Sequence, residues 1–132
     1  MKSSTDVIII EDNELLRDSF KEAINKSSSI RCENTFSSGE AALDIIEKKE
    51  LVPDIILLDI GLPGMNGIEM IPELRKLTPS SKIIIITVHD DDENVFNAIC
   101  AGASGYLLKD LSADRIVNSI NEVMNGGAPM NL

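Results

Sequence analysis

Short apolar runs alternate with amphipathic segments along almost the whole chain. The runs that predict β-strands cover residues 7–10, 30–36, 55–58, 83–86 and 106–108. The first, third and fourth runs are nearly unbroken and rich in β-branched residues. Such runs are typical of strands that are buried on both faces of a parallel sheet.

The segments between and after these runs carry apolar residues at helical spacing, so each predicts an amphipathic helix with one buried face. The predicted buried faces are Leu16, Phe20, Ala23 and Ile24; Ala42, Ile45 and Ile46; Met70, Ile71, Leu74 and Leu77; Val95, Phe96, Ile99, Cys100 and Ala103; and Ile116, Ile120, Val123 and Met124.

Helix-boundary signals agree with this spacing. Ser37 with Glu40 resembles a capping box, and Ser112 is a candidate N-cap for the fifth helix. The acidic residues 90–93 place negative charge at the start of the fourth helix, where the helix dipole favours it. Thr78-Pro79 ends the third helix, and Gly102 follows the fourth.

The alternation predicts an α/β fold, a (βα)5 doubly wound parallel sheet with helices on both faces. It is similar to the flavodoxin-like fold, whose strand order 2-1-3-4-5 would make strands 1 and 3 neighbours. Residues 1–125 are expected to form one domain. Residues 126–132 have the composition of a linker, so we expect them to begin the connection to a further domain.

Composition and charge argue against several classes of function. The net charge of −10 would repel nucleic-acid phosphates and anionic lipid, so this segment is not expected to bind either. The two cysteines, Cys32 and Cys100, lie in no metal-ligand spacing and are expected to be reduced thiols. No secretory signal or membrane-spanning run is present, so we expect a cytoplasmic protein without membrane contact.

Candidate chemistry lies directly after the strands. Glu11 and Asp12 follow strand 1, and Asp59 follows strand 3, its neighbour in the expected order. Three carboxylates at one sheet edge repel each other unless a cation is bound or some of the acids are protonated. Oxygen ligands near a phosphate favour Mg²⁺ as the cation. Thr87 after strand 4 offers a hydroxyl, and Lys109 after strand 5 offers a charge for a phosphate oxygen. A carboxylate in this setting can accept a phosphoryl group.

Each of these residues also has an ordinary structural interpretation. Glu11, Asp12 and Asn13 are suitable caps for the first helix, Thr87 is a common strand-end residue, and Lys109 alone would be a solvated charge. Because these residues are all expected at one edge of the same sheet, a shared functional site is favoured over separate structural roles.

The residues Glu11-Asp12, the run 57–67 (LLDIGLPGMNG), Thr87 and the run 106–109 (YLLK) closely resemble the response regulator receiver family of two-component signalling. The resemblance implies that Asp59 accepts the phosphoryl group from a sensor histidine kinase. It also implies Mg²⁺ as cofactor, with Asp12, Asp59 and the Gly61 carbonyl as ligands and Glu11 acting through water.

The same resemblance assigns the switch residues. Thr87 would be the switch hydroxyl, Lys109 the phosphate partner, and Tyr106 the aromatic residue that turns inward when Thr87 moves toward the phosphate. A half-buried strand tyrosine is the alternative for Tyr106. The family implies no enzyme activity beyond the domain's own phosphotransfer and slow autodephosphorylation.

The segment 98–110 (AICAGASGYLLKD) is similar to the NarL/LuxR-type subfamily, which implies a DNA-binding transcriptional output through a domain absent from this chain. The sequence departs from many receivers at Asp110, where they have a proline with a cis peptide, and at Val88, where many have a smaller residue. His89 lies near the expected site. In this subfamily receiver contacts often involve helices 1 and 5, and Leu15 and Val117 lie off the core faces of those helices here. The resemblance therefore implies a weak homodimer that phosphorylation enhances, through helices 1 and 5 or, as the alternative, helix 4 and strand 5.

Three other functions compete with this interpretation. A haloacid-dehalogenase-type phosphatase needs an acid two residues after its nucleophile, where this chain has Gly61. A flavodoxin needs a phosphate-binding loop after strand 1, where this chain has acids. A receiver that serves only as an unphosphorylated scaffold remains the third alternative.

Overall fold

The structure is a computed structural model that describes residues 4–62, 64–87, 92–109 and 112–126. Strands and helices alternate as the apolar pattern predicts. Their bounds are β1 Thr5–Ile10, α1 Glu14–Lys26, β2 Ile30–Phe36, α2 Gly39–Lys49, β3 Ile55–Asp59, α3 Gly67–Leu77, β4 Lys82–Thr87, α4 Asp92–Ala101, β5 Gly105–Leu108 and α5 Ala113–Met124.

The strands form one parallel sheet in the order β2-β1-β3-β4-β5, which confirms the predicted flavodoxin-like topology. Ile10 pairs with Leu58, and Asp59 pairs with Ile86. The carboxyl ends of β1, β3 and β4 therefore lie at nearly the same level of the sheet. This register brings the residues that follow these strands to one edge of the sheet.

Two apolar cores lie on opposite faces of the sheet, because successive side chains of a strand point to opposite sides. Ile8, Ile10, Ile56 and Leu58 pack with α2, α3 and α4 on one face. Val7, Ile9, Ile55 and Leu57 pack with α1 and α5 on the other face. The central strands β1 and β3 are thus buried on both sides, as their unbroken apolar runs predict.

The predicted buried face of α4 is wrong. Phe96 is 66% exposed, and Ile99 and Cys100 are also exposed, whereas Ala98 is buried and Ala101 is half-buried against the core. Small side chains on the inner face let a helix approach its neighbour closely, so the alanines and not the larger residues face α3. Val95 belongs to this predicted face, but its side chain lies outside the described part of the chain.

Helix ends mostly follow the predicted signals. The N-cap of α2 is Ser38, whose side chain accepts from Ala41 N, so the predicted cap at Ser37 is wrong by one residue. Ser112 caps α5 by accepting from Arg115 N, as predicted. Thr78 ends α3, and Gly102 follows α4 with a φ of +123° that suits glycine.

Leu77 is 36% exposed, so it lies at the margin of the α3 face to which the pattern assigned it. Among the helices of the described residues, none combines the length and apolar character needed to cross a bilayer. The predicted acidic start of α4 at residues 90–91 falls outside the described residues, as does most of the predicted linker, residues 127–132.

Candidate functional site

The predicted site residues lie at the carboxyl edge of the sheet. Glu11 and Asp12 follow β1, Asp59 is the last residue of β3, and Thr87 is the last residue of β4. Lys109 follows β5, where its backbone N–H donates to Thr87 O at 2.8 Å. The sheet therefore carries all five residues to one side of the molecule.

Lys109 is the cation at the centre of this group. Its Nζ lies 2.8 Å from Glu11 Oε1 and 3.1 Å from Asp59 Oδ2. The lysine side chain is only 13% exposed. Burial alone would lower the pKa of Lys109, but its contacts with Glu11 and Asp59 outweigh that effect and raise it. Lys109 therefore stays charged at neutral pH and holds the two acids together.

Glu11 is completely buried, and its neighbours hold it at several atoms. Its Oε2 accepts from Asn13 N at 3.0 Å, while its backbone N–H donates to Phe36 O at 3.0 Å. Burial raises the pKa of the Glu11 carboxyl, and the negative charge of Asp59 adds to the rise, although contacts with Lys109 and Asn13 oppose it. The balance of these effects raises the pKa of Glu11.

Asp59 presents a buried and oriented carboxylate. Its side chain is 3% exposed, and Oδ1 accepts from Gly61 N at 2.9 Å. The other oxygen, Oδ2, makes the contact with Lys109. A carboxylate held by a backbone amide on one oxygen and by an ammonium group on the other has a fixed direction, which is what an attack on phosphorus requires.

Asp12 is the exposed member of the acidic group. Partial burial acts to raise the pKa of Asp12, but contacts with the Glu11 and Asp59 carboxyls and the charge of Lys109 outweigh it and lower the pKa. Asp12 is therefore ionised at neutral pH and open to solvent. This is the position from which a carboxylate can present an oxygen to an incoming cation.

The donor set fits a hard divalent cation. Glu11, Asp12 and Asp59 each offer a carboxylate oxygen, and these oxygens all lie within 4.8 Å of one another. Oxygen ligands with one open side suit Mg²⁺, which keeps several waters and shares a phosphate with few protein ligands. The Gly61 amide faces Asp59, while the role of the Gly61 carbonyl as a ligand stays a prediction.

Thr87 and Tyr106 lie on the neighbouring strands β4 and β5, where Thr87 pairs with Leu108 and Tyr106 pairs with Ile85. Thr87 is 7% exposed at the end of β4, and Tyr106 is 3% exposed in β5. The tyrosine belongs to the core on the α2, α3 and α4 face, together with Ile85 and Ala98. Tyr106 is thus more deeply buried than the half-buried tyrosine of the alternative, and its role as a switch residue stays a prediction.

Two features of the site escaped the sequence analysis. Arg17 on α1 donates from Nη1 to the Glu11 carbonyl at 2.9 Å. Gly67 is the first residue of α3, and a Cβ there would lie 2.4 Å from Asp59 O. The Asn66-Gly67 pair is a signal for the helix start, but no sequence pattern reveals either contact.

Some predicted contributors fall outside the described residues. Val88 and His89 follow β4, and Asp110 follows Lys109, in segments that the structure does not describe. The departures that the sequence shows at these positions therefore remain sequence observations.

A sequence profile of the response regulator receiver domain matches residues 7–121. The chain is 34% identical over 122 residues to the transcriptional regulatory protein DegU of Brevibacillus brevis, covering 92% of this chain and 51% of the relative. It is also 34% identical over 120 residues to the nitrate/nitrite response regulator NarL of Escherichia coli K12, covering 91% and 55%. The chain spans about half the length of these curated relatives.

Solved structures agree with the sequence matches. The receiver domain of the response regulator NarL from Mycobacterium tuberculosis superposes with a TM-score of 0.85 at 30% identity, covering 95% of this chain and 99% of that one. A LuxR-family DNA-binding response regulator from Staphylococcus aureus gives a TM-score of 0.80 at 31% identity, with 90% and 98% covered.

Proposed function

The chain belongs to the response regulator receiver family, with relatives of the NarL/LuxR type, and we propose that it stores a two-component signal as a phosphoryl group on Asp59. One observation carries this proposal. Asp59 is a buried, oriented carboxylate that lies within reach of Lys109 and shares its pocket with two further acids.

Phosphoryl transfer at this site has a simple balance. A carboxylate oxygen of Asp59 attacks the phosphorus of a phosphohistidine on a sensor histidine kinase and forms a new O–P bond. The P–N bond breaks, the imidazole keeps the electron pair, and that nitrogen then takes up a proton. The product is an acyl phosphate on Asp59.

Two side chains of this site and a bound cation would stabilise the transferred group. Lys109 exchanges part of its contact with Asp59 for a phosphoryl oxygen, and Thr87 donates its hydroxyl to another. Receiver domains bind Mg²⁺ through an acidic pocket, and when bound here the ion would supply positive charge to the phosphoryl oxygens. Asp12, Asp59 and the Gly61 carbonyl would hold it, with Glu11 acting through water.

The position that carries the general acid or base in a haloacid-dehalogenase-type phosphatase has no side chain here. The residue two positions after Asp59 is Gly61, which has no side chain to act as general acid or base. We therefore propose that the domain is not a turnover enzyme and that its acyl phosphate persists. Persistence lets the group act as a signal and distinguishes this function from that of a phosphatase.

The output of the signal is a changed protein surface. Thr87 and Tyr106 connect the phosphate site to the core beneath α4, so movement of Thr87 would alter the packing there. Since the matched relatives include transcriptional regulators about twice as long as this chain, we propose that the surface controls a DNA-binding domain outside it, in the cytoplasm.

The test is covalent labelling with a small phosphodonor. Intact-mass spectrometry after incubation with acetyl phosphate and Mg²⁺ should show one added phosphoryl group on the wild type and none on Asp59→Asn. Asp44→Asn is the matched control, because Asp44 is an exposed helical aspartate that pairs with Lys48 at 3.2 Å. Full labelling of Asp59→Asn would place the acceptor elsewhere.

A further inference from the structure

Arg17 makes a contact that links helix α1 to the acidic site. The residue lies in the first half of α1 and is half-buried. Its Nη1 donates to the carbonyl oxygen of Glu11 at 2.9 Å, six residues back along the chain. A guanidinium group donating to a neutral carbonyl forms a charge-assisted hydrogen bond, which is stronger than a neutral one.

The effect of this contact depends on its acceptor, the carbonyl oxygen of Glu11. The carbonyl of Glu11 belongs to the peptide group that joins Glu11 to Asp12, and a peptide group is a rigid plane. A hydrogen bond that fixes this oxygen therefore fixes the orientation of the whole plane. The N and Cα atoms of Asp12 lie in that plane, so Arg17 fixes the point and the N–Cα axis from which the Asp12 side chain extends.

Asp12 needs such a support more than Glu11 does. Glu11 is held through its own N–H by Phe36 and through its carboxylate by Asn13 and Lys109. Asp12 is exposed at the open side of the acidic group. Its oxygen must nevertheless lie within a few ångströms of the Asp59 carboxylate if the two acids are to share a cation.

We propose that Arg17 is a positioning residue for the cation site: its bond to the Glu11 carbonyl holds the Glu11–Asp12 peptide so that Asp12 faces Asp59. The inference rests on the proposed function for the use of the site, but the contact itself is independent of phosphorylation. Arg17 acts through the backbone and touches neither the cation nor the phosphoryl group.

The chain offers a closely matched control. Arg75 on α3 also donates from Nη1 to a backbone carbonyl six residues away, Ser81 O, at 3.0 Å, and this contact is also partly buried. Ser81 lies just before β4, at the opposite edge of the sheet from the acidic group. Arg75→Ala therefore removes an equivalent bond without disturbing the site.

Titration calorimetry with Mg²⁺ tests the proposal. Arg17→Ala should bind Mg²⁺ about tenfold more weakly than the wild type, the lower end of the range for residues that orient metal ligands. Arg75→Ala should bind it as the wild type does. Arg17→Lys should restore part of the affinity, because lysine keeps a donor at this position without the planar fork of arginine. Thermal melting of each variant checks that it is folded.

Amide hydrogen exchange in the absence of Mg²⁺ gives a readout that does not depend on the ion. The amides of Asp12 and Asn13 should exchange faster in Arg17→Ala than in the wild type, and they should be unchanged in Arg75→Ala. Equal Mg²⁺ affinity in Arg17→Ala and wild type would overturn the proposal, as would equal weakening in both alanine variants. A wild type that binds Mg²⁺ but takes no phosphoryl group would contradict the proposed function alone.

Discussion

Lys109 neutralises two acids that would otherwise repel each other at the edge of the sheet. Its ammonium lies within 3.1 Å of both the Glu11 and the Asp59 carboxylates, and both of these side chains are buried. Removing the cation from a buried group of this kind leaves charges without a partner, which is costly even when the acids respond by taking up protons. Lys109 thus contributes to stability before any phosphoryl group arrives.

We expect Lys109→Ala to lower the unfolding free energy of the Mg²⁺-free protein by on the order of 1–3 kcal/mol. Mg²⁺ should then stabilise this variant more than it stabilises the wild type, because the ion replaces the missing positive charge. Urea denaturation with and without Mg²⁺ measures both effects. Lys82→Ala is a control, because Lys82 is also partly buried but is the first residue of β4, at the opposite edge of the sheet from the acidic group. An unchanged stability of Lys109→Ala would show that its ion pairs have no net effect on the fold.

Asp12 should determine whether the protein responds to Mg²⁺. At ten times the dissociation constant a bound ion adds about 1.4 kcal/mol to stability, because it binds the folded state alone. Asp12→Ala should lose this gain, whereas Asp18→Ala, at an exposed position on α1, should keep it. Thermal melting across a Mg²⁺ series measures the response. If Asp12→Ala responds as strongly as the wild type, Asp12 is not a ligand.

The two cysteines should differ sharply in reactivity. Burial raises the pKa of the Cys32 thiol to about 11, and its Sγ donates to Asn34 O at 3.4 Å, whereas Cys100 is exposed on α4. Since the thiolate is the nucleophile and a raised pKa leaves little of it at pH 8, Cys32 should react slowly. Ellman's reagent should titrate one fast thiol in the native protein and two in urea. Cys100→Ser should remove the fast phase, and a fast phase that persists would contradict the assignment.

At the scale of the elements, the start of α3 is packed against the backbone of Asp59 and Ile60. Gly67 begins α3 directly beside Asp59 and Ile60, and its N–H donates to Ile60 O at 3.0 Å. A Cβ at Gly67 would lie 2.4 Å from Asp59 O and 2.7 Å from Ile60 Cα. These are backbone atoms that cannot rotate away, so only glycine fits.

Gly67→Ala should therefore destabilise the protein by about 1–3 kcal/mol, the usual cost of overpacking, and slow phosphorylation by displacing Asp59. Gly61→Ala is the matched control in the same loop. A Cβ at Gly61 would meet Asp59 Oδ1 at 3.7 Å, an ordinary contact, so its stability should hardly change. Urea denaturation of both variants gives the comparison, and equal stability of the two would show that α3 shifts to admit the extra carbon.

The elements also show what the sequence can and cannot predict. The strands follow from apolar runs. Their order is that of the flavodoxin-like fold, which the alternation resembles, and with that order Glu11, Asp12, Asp59 and Lys109 are expected to meet beyond the carboxyl ends of the strands. These features depend on periodicity and topology, which a single sequence carries.

The errors have a different origin. In α4 the large residue Phe96 and the small residue Ala98 belong to different faces, and apolar spacing alone favours the face with more large residues. The actual choice depends on how closely α3 approaches. Arg17 was missed because a bond from a side chain to a backbone carbonyl leaves no pattern in the sequence. Packing distance and backbone acceptors are three-dimensional information.

At the scale of the whole molecule, two properties act on self-association in opposite directions. The net charge opposes it, and the exposed apolar side chains favour it. A charge of −10 on each copy repels a second copy, and the repulsion weakens as salt screens it. Leu15 on α1 is 83% exposed and Phe96 on α4 is 66% exposed, so each offers an apolar contact. Val117 on α5 is half-buried and packs partly against the core, so it offers less surface than Leu15.

We expect a weak homodimer that phosphorylation strengthens, with α1 and α5 at its interface. Sedimentation velocity with and without beryllofluoride, which mimics the aspartyl phosphate, should show more dimer with the mimic and more at higher salt. Leu15→Glu should abolish the dimer, because it adds a buried negative charge to an already acidic pair of molecules. Phe96→Glu adds the same charge on α4 and should leave the dimer intact. If Phe96→Glu abolishes the dimer and Leu15→Glu does not, the interface lies at α4 and β5. A monomer under all conditions would exclude self-association as the output of the signal.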